Sequence, residues 1–197
     1  MYTSEYSLER PAGLRRRSLA MGTVLWRIDA DHPSSWEWNS YPSPRHRFDS
    51  ATRTFRTRYG AQTMLGAARE RYLDTGLLIP DDHSDHWLVR LTTIRRIHIV
   101  DLRTEANLKA LEIDDRINTS HERVVFNACH RLVDAIRSWW PDIDGIIYRS
   151  RTTPSTSYNI AFFATDALEY DAQVLESCKD QLNDLVLRDH FTINFDY

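Results

Sequence analysis

A chain of 197 residues, 42% hydrophobic and 27% charged, is long enough to bury a core of its own and has the composition of an ordinary globular domain. Its net charge of −3 argues against nucleic-acid binding by phosphate neutralisation, and no apolar run approaches the length of a membrane-spanning helix. Six Trp and nine Tyr suit aromatic packing or stacking surfaces, while Cys129 and Cys178 fall in amphipathic helical patterns and read as buried free thiols of a reducing cytoplasm.

Residues 1–21 are polar, contain Pro11, Gly13 and the basic run Arg15-Arg16-Arg17, and show no period. No apolar stretch follows the basic run, so the segment reads as an N-terminal extension with a solvated arm rather than a secretory signal. Residues 22–197 then form a single domain. Val24, Trp26 and Ile28 alternate over residues 23–30 and predict a first strand. Residues 31–44, with three prolines and Trp36-Glu37-Trp38, predict an irregular loop of a length that is often functional.

Residues 61–73 carry Ala61, Met64, Leu65, Ala68 and Tyr72 on one helical arc, which is the expected core face. Glu70 projects the opposite way, among Thr63, Gly66 and Ala67. Small residues around a carboxylate leave room for another strand or a ligand. Gly66 in a helix costs about 1 kcal/mol against Ala, which asks for a packing reason. Thr75-Gly76 ends the helix, and residues 80–85 form an acidic turn. Asp81, Asp82, His83, Asp85 and His86 are metal-ligand types, but their spacing fits no standard zinc or calcium pattern, so no metal is expected.

Residues 86–102 are strand-like with a break at Arg95-Arg96, and residues 105–111 suit a short helix. Thr119-Ser120-His121-Glu122 reads as a capping box opening a helix. Val125, Cys129, Leu132, Val133, Ile136 and Trp140 form its apolar stripe, and Pro141 closes it. A strand over 145–150, a polar loop over 151–158 and a buried strand over 159–164 follow. A helix over 171–187 and a strand over 191–195 complete the chain. Strands and helices do not alternate as βαβ units, which predicts an α+β fold with a mainly antiparallel sheet.

Three segments carry a family resemblance: Arg47-Phe48-Asp49-Ser50, then Tyr59-Gly60-Ala61 with Ala67-Ala68-Arg69-Glu70, then Gly145-Ile146-Ile147-Tyr148-Arg149-Ser150 followed by Asn159-Ile160-Ala161-Phe162-Phe163. In this order they resemble the RES domain, a bacterial family named for its Arg, Glu and Ser, whose members act as toxins paired with an Xre-type antitoxin. The resemblance spans residues 23–163. It implies an ADP-ribosyltransferase-like fold, a split β core with helices around it, together with an antitoxin partner and self-association. Many members carry glycines before the Arg and Trp-Asn after it; here Pro44-Arg45-His46 precedes and Phe48-Asp49 follows.

The resemblance also implies NAD+ as substrate. Nicotinamide is a good leaving group, and cleavage of its bond to ribose passes through an oxocarbenium-like state, so the protein must supply placement and charge. Glu70 is the expected carboxylate at the ribose hydroxyls. Arg47 is the expected phosphate cation, with Arg58 and Arg151 as further candidates, because a planar guanidinium fork suits phosphate. Tyr59 would pack on nicotinamide, Ser150 would donate to its amide or to a ribose oxygen, and Asn159 is a secondary site residue. The expected activity is NAD+ glycohydrolysis or phosphorolysis. The alternatives are protein ADP-ribosylation and a catalytically inactive binding or scaffold protein; direct nucleic-acid binding is not expected.

Overall fold

The structure, a computed structural model, describes residues 9–37, 43–153, 157–163 and 166–197. In chain order the first half comprises β1 (Arg16–Leu19), β2 (Val24–Asp29), β3 (Arg58–Ala61), α1 (Met64–Tyr72), β4 (Leu78–Ile79), β5 (Trp87–Thr93) and β6 (Ile97–Asp101). The second half comprises α2 (Glu105–Ala110), α3 (Arg116–Thr119), α4 (Arg123–Trp139), β7 (Gly145–Arg149), β8 (Tyr158–Phe162), β9 (Leu168–Val174), α5 (Lys179–Asp189) and β10 (Thr192–Ile193). Eight strands make one sheet in the order β1-β6-β7-β8-β3-β2-β5-β9. Only β6 and β7 run parallel in it, joined through α2, α3 and α4. This is the α+β, mainly antiparallel, ADP-ribosyltransferase-like architecture expected.

Register decides which side chains share a face. Val100, Ile146, Ala161 and Tyr59 are successive cross-strand partners, and so are Tyr148, Asn159, Ala61 and Trp26. Directly opposed residues project to the same side of a sheet. On that side α4 packs its stripe, Val125, Cys129, Leu132, Val133 and Ile136, onto Val100, Ile146 and Tyr148. Further along the same face, α1 and α5 pack Ala68, Tyr72, Leu182 and Leu185 onto Ile28 and Leu88. The other face buries Leu25, Leu91, Ile97, Ile99, Ile147, Ile160 and Phe162. Between the α4 pack and the α1 pack, the middle strands β8 and β3 are left as a floor. That gap is where a cleft can form.

Gly66 has a packing reason. A Cβ there would stand 3.2 Å from both the Ala61 Cβ and the Thr63 Oγ1, so α1 lies against the end of β3 only because residue 66 has no side chain. Thr63 caps the helix, its Oγ1 accepting from the Gly66 N–H at 3.0 Å. The helix therefore begins three residues later than its apolar arc suggests, and Arg58–Ala61 is a strand that the sequence reading passed over.

Other expectations are corrected. Residues 16–19, expected within the arm, pair with β6, and Leu14 is buried in the core. Thr119 does not cap a helix: it ends α3, its Oγ1 donating to the Asp115 carbonyl, and α4 starts at Arg123 with Glu122 as N-cap and no side-chain cap bond. The first part of the expected 171–187 helix is β9, whose seven residues pair with all of β5, and α5 starts only at Lys179. The break at Arg95-Arg96 holds, and it separates strands in different parts of the sheet. Within the 31–44 loop, Pro33–Ser35 form a 3-10 turn; Trp38, and Ala164 of the expected late strand, lie outside the described residues.

Candidate active site

The Glu70 carboxylate is held from three directions. Its Oε1 accepts from the Ser150 Oγ at 3.0 Å, the Thr152 Oγ1 at 2.8 Å and the Asn159 Nδ2 at 2.9 Å. Ser150 and Asn159 are buried at the ends of β7 and β8, and Thr152 is buried just beyond. The three donors therefore come from the sheet, while the carboxylate comes from α1, which Gly66 allows close. Among the described residues Oε2 accepts no hydrogen bond, so one oxygen is anchored and the other is presented.

Beside it opens a cleft of about 370 Å³, of the size range of small-ligand sites. Its floor is the row Tyr148, Asn159, Ala61 and Trp26, with Tyr59 and Ile28 beside it. One wall is Ala67, Glu70 and Arg71 of α1, and the other is His46, Arg47 and Phe126. A second cleft of about 500 Å³ shares Glu70 and Arg151 with the first and is lined by Thr119, His121, Arg149, Ser150 and Thr152. Glu70 thus stands at a junction of two hollows.

Tyr59 is half-buried and works at both ends. Its ring lines the cleft, edge-on to Tyr148 at 6.4 Å and to His46 at 5.7 Å between centroids. Its hydroxyl accepts from the Phe48 N–H at 2.9 Å and donates to the Asp49 Oδ1 at 3.2 Å. Burial first, then the Asp49 carboxylate, holds the phenol well above its ordinary pKa, so it stays a donor. Tyr148 is raised in the same way, by burial and then by Glu70. Asp49 ties the loop further, its Oδ2 accepting from the Arg45 and His46 N–H groups at 2.8 and 2.7 Å.

Arg47 lines the cleft but is buried, and its fork is engaged. Nη1 donates to the Ile117 carbonyl at 3.0 Å and Nη2 to the Ser120 carbonyl at 2.6 Å, with the guanidinium 4.8 Å from the Phe126 ring centre. It closes the carbonyls at the end of α3, which a helix terminus leaves open. Its charge reaches the cleft; its forked geometry is spent on the protein. Arg58 is on the opposite face of β3 from Tyr59 and does not line the cleft. It sits 4.8 Å from the Trp36 ring centre and 3.9 Å from Asp29, and burial lowers its pKa to about 10. Arg151 lies at the junction of the two clefts, its Nη1 2.7 Å from the His121 ring nitrogens.

The RES domain family matches residues 24–185. The chain belongs to the RES domain family. Among solved structures, a chain of the crystal structure of the M. tuberculosis MbcT–MbcA toxin–antitoxin complex is similar in fold, with a TM-score of 0.54 at 9% identity, over 83% of this chain and 91% of that one. A search of curated proteins finds no match.

In this RES domain the Arg, Tyr, Glu and Ser expected from sequence all converge, with Asn159 and Arg151 beside them and Arg58 apart. Sequence reasoning missed Thr152, Tyr148, His46 and Arg71. Alternation could have found two of these, because Tyr148 and Thr152 flank Ser150 at a spacing of two. His46 and Arg71 carry no such signal. Among the described residues no cluster of three or more His, Cys, Asp or Glu could hold a metal, and no helix is long and apolar enough to cross a membrane.

Proposed function

We propose that this chain is a RES-type toxin that consumes NAD+ by cleaving the bond between nicotinamide and ribose. The observation that carries the reading is the Glu70 carboxylate, anchored through Oε1 and open at Oε2 beside an aromatic-walled cleft. A carboxylate fixed in this way can accept from ribose hydroxyls and strengthen those bonds as positive charge develops on the sugar. The C1′–N bond breaks with its electron pair leaving on nicotinamide, which departs neutral. An acceptor oxygen then bonds to C1′. Tyr59 and Tyr148, perpendicular to each other, give the nicotinamide ring one face to stack on and one edge to pack against, and Arg47, Arg71 and Arg151 supply positive charge toward the pyrophosphate.

The second cleft gives the acceptor its own approach to Glu70. Water there makes the enzyme a glycohydrolase and releases one proton; inorganic phosphate, drawn by Arg149 and Arg151, makes it a phosphorylase. A protein side chain in the same place would make it an ADP-ribosyltransferase. The proposed partner is an Xre-type antitoxin, supported by family membership and by the likeness to a chain of a toxin–antitoxin complex. We place the protein in the cytoplasm as a homo-oligomer that needs no metal.

Incubation with NAD+ and measurement of nicotinamide, with water alone or with added phosphate, tests the reading. Glu70→Gln keeps an acceptor for the three donors but lowers nicotinamide release by roughly a hundredfold or more, with folding retained. Unchanged NAD+ in the presence of the folded wild-type chain overturns the proposal.

A further inference from the structure

The wall of the first cleft carries a group that the proposed reaction leaves unused. His46 is fixed by its main chain: its N–H donates to the Asp49 Oδ2 at 2.7 Å, and its carbonyl accepts from the His130 Nε2 at 2.8 Å and from the Asp49 N–H at 3.2 Å. With the backbone clamped on both sides, the imidazole is directed into the cleft, edge-on to Tyr59. Among the described residues neither ring nitrogen makes a hydrogen bond, although the main-chain atoms of the same residue are fully used. The aromatic wall then runs from His46 through Tyr59 to Tyr148, which stands next to Glu70.

We infer that His46 is a specificity residue that reads the carboxamide of the nicotinamide ring, selecting the amide over the corresponding acid. The inference rests on the NAD+-cleaving reading above. With ribose at Glu70 and the pyridine ring along Tyr59, the substituent of that ring falls at the far end of the wall, where His46 stands. A neutral imidazole has one N–H donor and one lone-pair acceptor, and a carboxamide offers the matching carbonyl and NH2. A carboxylate offers acceptors only and leaves the imidazole lone pair unanswered. Partial withdrawal of the ring from water lowers its pKa, a shift that Asp49 and Asp29 oppose and the Arg27 and Arg45 charges reinforce, which favours the neutral imidazole. The cleft also holds the Glu70 and Asp29 carboxylates; of its arginines, Arg27 is paired with Asp29 and Arg47 with carbonyls, while Arg45, Arg71 and Arg151 also line it.

The test compares NAD+ with nicotinic acid adenine dinucleotide, measuring the released base and the binding of each dinucleotide to the full chain. The wild type is expected to favour NAD+ in kcat/KM by about tenfold, the scale of one hydrogen bond lost. His46→Phe keeps the ring and abolishes the preference, chiefly by raising KM for NAD+. His46→Gln, with a donor and an acceptor, retains most of it. Because the clamps on residue 46 are main-chain bonds, both variants are expected to keep the fold. An equal rate for the two dinucleotides in the wild type, or an undiminished preference in His46→Phe, overturns the inference and leaves NAD+ cleavage standing. A wild type that binds and cleaves neither removes the NAD+ reading, and this inference with it.

Discussion

A single oxygen atom, Oε1 of Glu70, receives three hydrogen bonds, and two of the donors are hydroxyls whose oxygens lie 3.1 Å apart, Ser150 Oγ and Thr152 Oγ1. This redundancy sets what substitution does. Ser150→Ala removes one donor and leaves two, so it should cost about 1 kcal/mol of stability and lower nicotinamide release by roughly tenfold. Ser150→Ala combined with Thr152→Val should lose more than the sum of the single changes, since each hydroxyl partly covers for the other. A double-mutant cycle on nicotinamide release, with chemical denaturation beside it, measures the coupling; strict additivity would mean that the two hydroxyls act independently. At this scale the Arg, Glu and Ser of the resemblance were legible, but their division of labour was not. Ser150 commits its proton to Glu70, and Arg47 commits its fork to α3. Side-chain hydrogen bonds depend on which partners arrive, and the partners lie 70 to 89 residues away.

Among the elements, α1 is the one whose placement matters most. Its approach to β3 depends on Gly66, because a Cβ there would press on Ala61 and Thr63 at 3.2 Å. Gly66→Val should destabilise the fold by about 1–3 kcal/mol and push Glu70 off its three donors, so nicotinamide release falls faster than the melting temperature. On its other side α1 buries Tyr72 next to His83, which stacks on His86 with ring centres 3.9 Å apart. Burial first, then the neighbouring His83 and Arg71, lowers the His86 pKa below its ordinary 6.5, against the pull of Asp85 and Asp29. The unfolded chain therefore takes up this proton first as pH falls through about 6.5, and stability drops until the lower folded pKa is passed. Urea midpoints at pH 8 and pH 5.5 should show this loss, and His86→Phe should reduce it, leaving the share of His46, whose pKa is lowered in the same way. Helix α4 was readable because its apolar stripe repeats over four turns. Strand β9 was not, because Asp171 to Val174 carries no residue that forbids a helix. Its strand character comes from pairing with β5.

At the scale of the whole molecule the cleft belongs to no single element. It lies where the α4 pack and the α1–α5 pack leave the middle of one sheet face uncovered, and its lining runs from Trp26 to Asn159. A ligand bound across this gap should brace the two packs against each other. NAD+ at a hundred times its dissociation constant should therefore stabilise a non-cleaving Glu70→Gln chain by about 2.7 kcal/mol, read as a rise in melting temperature. No shift with NAD+, in a variant that is folded, would mean that the gap does not hold the dinucleotide.

The sequence by itself determined the fold class, the position of α4, the outward face of Glu70 on its helix and the family. These rest on periodicities and on motif order, which are written along the chain. Only the tertiary structure decided that Ser150, Thr152 and Asn159 meet at one carboxylate oxygen, that Arg58 faces away, that residues 168–174 are a strand, and that His46 looks into the cleft. The physical reason is the same in each case. Sheet register and helix packing bring together atoms far apart in sequence, and a hydrogen bond exists only once both partners are in place.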